Sequence, residues 1–99
     1  MAPTIYGDVL ARNIRAARSR AGLNQQLVAD RMQMLGYTAW LRQTVANVEK
    51  NRRRVTAEEV FGLAAALQTS IGVLMSPVAD DKIVDFPSGA AVTVVMRKL

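Results

Sequence analysis

Apolar side chains recur at helical spacing along most of the chain and change period only near its end. From Tyr6 to Ala21, the positions Val9, Leu10, Ile14, Ala17 and Ala21 share one face of a helix, and arginines occupy the others. Gly22 supplies a left-handed stop. Asn24 then caps a second helix, whose mixed stripe of Leu27, Val28, Arg31, Met32 and Leu35 continues until Gly36 breaks it. After the connection "GYTA", Leu41, Val45 and Val48 recur at spacings of four and three. They predict a third, amphipathic helix with Arg42, Gln43, Asn47 and Lys50 off the buried stripe. Asn51, a residue that tolerates positive φ, stands where that helix ends.

The stretch "VTAEEV" is the sharpest local signal. Thr56 and Glu59 fit a capping box, with Val55 and Val60 placed as a hydrophobic staple, so a fourth helix starts near Ala57. Val60, Leu63, Ala64 and Leu67 form its inner face. Ser70 caps a short fifth helix through Ile71 and Leu74 that Pro77 prevents from continuing. Beyond it, "ADD" reads as a linker, "KIVDF" and "AAVTVVM" as strand formers, and "PSG" as a turn. The expected organisation is a helical domain over residues 1–76, followed at 77–99 by a linker and a terminal β-hairpin. An isolated hairpin has little stability, so this one is expected either to pack on the helices or to pair with a second copy, with Val92, Val94 and Met96 as dimerisation candidates.

Composition narrows the chemistry. With 99 residues, about half of them apolar, the chain can bury one modest core. It has no cysteine and no histidine, which removes thiolate nucleophiles, imidazole bases, disulfides and the usual zinc ligands. Its eight carboxylates show no catalytic pairing, and it carries no phosphate-cradling glycine loop or dinucleotide fingerprint. The expectation is a non-enzyme without metal or cofactor. No apolar run approaches the roughly 20 residues of a membrane span, and "MAPTIYGD" lacks the basic and apolar blocks of a secretory signal. A cytoplasmic protein with no membrane partner is the expectation.

The net charge of +5 is unevenly spread. Residues 12–54 hold ten Lys and Arg against Asp30 and Glu49, a local +8, whereas the segments on either side are net acidic. A cationic block within a foldable segment points to a polyanion, because neutralised phosphates release counterions.

Taken together, "IRAARSRAGLNQQLVA" and "RQTVANVEKNRRRVTAEEVFGLAAAL" resemble the helix-turn-helix family of phage lambda-type repressors and Cro proteins, the XRE family. The likeness covers residues 10–76. It rests on ordered anchors: Gly22-Leu23-Asn24-Gln25, Ala29, Thr44-Val45, Glu49, a basic turn and the capped fourth helix. It implies a mainly α, five-helix lambda-repressor-like DNA-binding domain. In such domains helix two bridges the backbone of double-stranded DNA, helix three enters the major groove, and homodimers span two half-sites.

On this resemblance Arg42, Gln43 and Asn47 occupy base-reading positions. Arginine can present a fork to guanine, and Gln and Asn can each bond twice to adenine. The alternative is an ordinary solvated helix face. Asn24 and Gln25 match phosphate-binding positions at the entrance to helix two, although Asn24 also serves as a simple cap. Thr44 can donate to phosphate or bond back to its own helix. Lys50, Arg52, Arg53 and Arg54 are phosphate candidates, with stabilisation of the helix C-terminus as the competing role. Arg18 and Glu49 resemble a structural ion pair that orients the reading helix, the alternative being two independent charges. Trp40 is expected in the core, since single-strand binders combine several aromatic platforms.

One departure from the family pattern stands out. Seven residues separate Ala29 from Gly36, where the compact pattern has about four. Helix two is expected to be longer by most of a turn, and the cap of helix three to be displaced to Thr38. The expected function is a sequence-specific transcriptional regulator, a repressor if its operator overlaps a promoter. The rival is an antitoxin-like or accessory module that binds a protein partner through the terminal hairpin.

Overall fold

The computed structural model describes residues 5–76, 81–85 and 91–95, with side chains from residue 7 to residue 76. Five helices follow in order: α1 Ile5–Arg20, α2 Gln25–Met34, α3 Arg42–Glu49, α4 Ala57–Ala66 and α5 Ile71–Met75. Each apolar stripe turns inward onto one cluster. Ile14 of α1, Val28, Ala29 and Met32 of α2, Val45 of α3, Leu63 of α4 and Leu74 of α5 are all fully buried within it. No single helix of this length is stable alone in water, so this shared core holds all five.

The helix boundaries follow from specific backbone chemistry. Asn24 Oδ1 accepts the Leu27 N–H at 2.8 Å, Thr56 Oγ1 accepts the Glu59 N–H at 3.1 Å, and Ser70 Oγ accepts the Val73 N–H at 3.0 Å. Glu59 completes the capping box by accepting the Thr56 N–H at 2.8 Å. The first four helices share one type of C-terminus. A left-handed residue, Gly22, Gly36, Asn51 or Gln68, follows each. The next residue then donates back to the fifth residue before it, as in Leu23 N to Arg18 O at 3.1 Å and Tyr37 N to Met32 O at 3.1 Å. Gln68, at φ 54°, is the one such position that its residue type does not announce.

Three expectations are corrected. Thr38 does not cap α3: the N-cap is Leu41, in extended conformation, and its own N–H is accepted by Thr44 Oγ1 at 3.1 Å. Leu41 is not part of the buried stripe but 59 % exposed, because Trp40, 2 % exposed, fills the core at that corner. Leu27, in the first turn of α2, and Leu35, at its C-cap, are likewise exposed, because α2 buries only Val28, Ala29 and Met32.

Beyond the helices, β1 Asp81–Asp85 and β2 Ala91–Val95 pair antiparallel, with Ile83 opposite Thr93. Val92 and Val94 lie on β2. Their side chains, Met96 and the expected linker and turn fall outside the described residues.

Candidate nucleic-acid interface

The third helix has two chemically distinct sides. Val45, Ala46, Val48 and Glu49 are buried, while Arg42 and Gln43 are exposed and Asn47 half-buried. Gln43 Nε2 donates to Asn47 Oδ1 at 3.2 Å, one helical turn apart. That bond leaves the Gln43 carbonyl and the Asn47 amide N–H groups without a partner among the described residues. An acceptor and a donor, held side by side beside the Arg42 fork, present the functional groups that read base edges.

A buried carboxylate holds the underside of this helix. Arg18 donates to Glu49 in two places, Nε to Oε2 at 2.6 Å and Nη2 to Oε1 at 3.0 Å, and its Nη1 reaches the Leu23 carbonyl at 3.0 Å. The Glu49 side chain is 3 % exposed and that of Arg18 20 %. Donating to the Glu49 carboxylate raises the Arg18 pKa against the opposing effect of burial. The expected pair is thus a two-pronged bridge that ties α1 to the end of α3. Gln25 joins it, Nε2 to Glu49 Oε1 at 3.2 Å. Its side-chain amide is engaged inward, while its position at the start of α2 keeps the backbone N–H groups of that helix end nearby. Asn24 acts as the cap. Thr44 bonds back to the start of α3, yet its hydroxyl proton remains available to an outside acceptor.

The cationic run does not behave as one unit. Lys50, Arg52 and Arg54 are exposed, whereas Arg53 is half-buried and turned inward. Its Nη1 and Nη2 lie 3.1 and 2.9 Å from the two Glu59 oxygens, and its guanidinium carbon sits 4.8 Å from the centroid of the Trp40 ring. Of the four phosphate candidates, Arg53 is thus the one engaged inward. Glu59 also accepts the Trp40 indole N–H at 3.0 Å. Hydrogen bonds from Arg53, the Thr56 N–H and Trp40 outweigh burial and pull the Glu59 pKa down to about 2. No sequence signal linked Trp40 to Glu59. Glu59 was legible as a capping residue and nothing more.

The long connection between α2 and α3 is fastened at several points. Gln33 Nε2 donates to the Trp40 carbonyl at 2.6 Å, and the Tyr37 hydroxyl donates to the Glu58 carbonyl at 3.1 Å. Tyr37 packs so closely on Gly62 that a Cβ there would lie 2.7 Å from its ring. At the opposite end of α3, Asn51 Nδ2 donates to Asp8 Oδ1 at 3.0 Å.

Among solved structures, the chain is similar to the restriction-modification controller protein C.AhdI from Aeromonas hydrophila. The TM-score is 0.59 and the identity 27 %, over 70 % of this chain and 94 % of that one. This similarity agrees with the resemblance of the sequence to lambda-repressor-like helix-turn-helix proteins. No family model matches the chain, and neither does any curated protein. Helices α2 and α3 stand where that resemblance puts the helix-turn-helix pair, and the bridge from Arg18 to Glu49 holds the second against α1. Among the described residues no helix is long and apolar enough to cross a membrane.

Proposed function

We propose that this protein is a sequence-specific, double-stranded DNA-binding transcriptional regulator that reads the major groove with α3. The observation that carries this reading is the polar face of Arg42, Gln43 and Asn47, held rigidly over a buried face and flanked by the exposed cations Lys50, Arg52 and Arg54. Likeness to a restriction-modification controller supports the same class. Asn24, Gln25 and Thr44 add phosphate-binding positions at the two helix starts, through backbone N–H groups and a hydroxyl.

The protein acts as a homodimer on two half-sites, with the terminal hairpin as its dimerisation element. Repression follows where the operator overlaps a promoter. The role is non-enzymatic and cytoplasmic.

Selection of duplexes from a random pool tests this reading, followed by affinity measurements on wild type and Gln43→Ala. The variant is expected to lose discrimination at one or two base pairs by about 1–3 kcal/mol. Failure to enrich any sequence, together with tight binding to a protein partner, would transfer the function to the accessory-module reading.

A further inference from the structure

We infer that Trp40, Arg53 and Glu59 form a clamp that sets the angle of α3 from both ends, so that Arg53 serves DNA recognition as a positioning residue and not as a phosphate ligand. The inference rests on the DNA-binding reading above for its functional consequence. Its structural content does not depend on that reading.

The placement of the three residues is the first argument. Trp40 stands just before α3, which begins at Arg42, and Arg53 stands just after its end at Glu49. Glu59 belongs to α4. Helix α3 itself packs mainly on α1 and α2, so its tie to α4 runs through the segments at its two ends. One carboxylate collects both. An ionised carboxylate offers about four acceptor sites, and Glu59 receives four donors: Arg53 Nη1 and Nη2, Trp40 Nε1 and the Thr56 N–H. The Arg53 guanidinium also covers the indole face and donates to the Arg54 carbonyl at 3.0 Å.

Competition between ligands is the second argument. The Arg53 fork is committed to a carboxylate that is only 10 % exposed, and swinging it outward to a phosphate would break that pairing and uncover a buried tryptophan. Removing one partner of such a pair strands the other charge. Lys50 and Arg52 have no comparable engagement among the described residues, and so reach phosphate without that loss. The seven-residue connection from Leu35 to Leu41 supplies the reason for the clamp. A connection of that length leaves α3 free to tilt, and anchoring Trp40 on α4 removes that freedom.

The test separates charge from geometry. Affinity is measured against salt for a selected duplex and for a duplex with one base pair changed, using wild type, Arg53→Lys, Arg53→Met and Arg52→Ala. Arg53→Lys keeps the charge but loses the fork, so it and Arg53→Met are both expected to lower discrimination about tenfold while the salt slope stays unchanged. Arg52→Ala is expected to reduce the slope by about 0.9 and to spare discrimination. A slope reduced by about 0.9 in Arg53→Met, with discrimination intact, would overturn the assignment.

Amide hydrogen exchange without DNA supplies the independent readout. In both Arg53 variants the amides of residues 42–49 are expected to exchange about tenfold faster, while those of α1 keep their protection. Unchanged exchange in α3, or acceleration spread evenly over all helices, refutes the clamp. If wild type itself prefers no duplex, the DNA-binding reading fails, and the exchange result alone decides the clamp.

Discussion

Replacing Glu59 by glutamine is the most direct probe of how α3 is held, and its effect can be worked from the structure. The carboxyl ionises at about 2 in the folded protein against an ordinary 4.5. At about 1.4 kcal/mol per tenfold change in proton affinity, its ionised form contributes about 3 kcal/mol to folding. The side chain is 10 % exposed, so solvent screening removes little of this. Glutamine keeps the shape but turns an N–H₂ group toward donors that expect an acceptor. The variant should therefore lose about 3 kcal/mol at pH 7, equivalent to a fall in Tm of about 12–24 °C for a domain of this size.

The same argument sets a pH signature. Because the folded pKa is depressed, the contribution is fully present above about 4.5 and disappears as pH falls toward about 2. Wild type should lose its advantage over Glu59→Gln across that window and converge with it at the acid end. Urea denaturation followed by Trp40 fluorescence, the single tryptophan, and by far-ultraviolet circular dichroism measures both quantities. A variant within 1 kcal/mol of wild type at pH 7, or a difference that does not change between pH 5 and 2, would show that the four donors do not depend on the charge.

Three further outcomes are expected. Glu49→Gln leaves Arg18 charged without its carboxylate and should cost about 3–5 kcal/mol by chemical denaturation, with Glu49→Ala no milder. Gly62→Ala pushes a methyl group into the Tyr37 ring and should destabilise by about 1–3 kcal/mol, and pairing it with Tyr37→Leu should recover part of that loss. Deleting residues 80–99 should leave the helical circular dichroism signal intact while weakening self-association in sedimentation, and an unchanged dimer would remove the hairpin from the interface.

The architecture was legible wherever one residue type decides a local conformation. Gly22, Gly36 and Asn51 announced their left-handed helix ends, Asn24, Thr56 and Ser70 announced their caps, and the stripe of Val60, Leu63, Ala64 and Leu67 announced the inner face of α4. Arg18 and Glu49 were legible only through resemblance, because nothing in a separation of 31 residues marks two charges as partners.

The remaining features were set by what the helices do to one another. Leu41 and Trp40 are adjacent and both apolar; periodicity assigned Leu41 to the core and the scarcity of aromatic platforms assigned Trp40 there, and in the fold only Trp40 is buried. Arg53 stood in a run of three arginines identical in composition, and only the position of α4 brought a buried carboxylate and an indole face to that one guanidinium. Helix ends and stripes depend on interactions within a few residues, which the chain order contains. The choice among equivalent cations depends on distances across the core, which only the folded packing of α1, α2 and α4 around α3 creates.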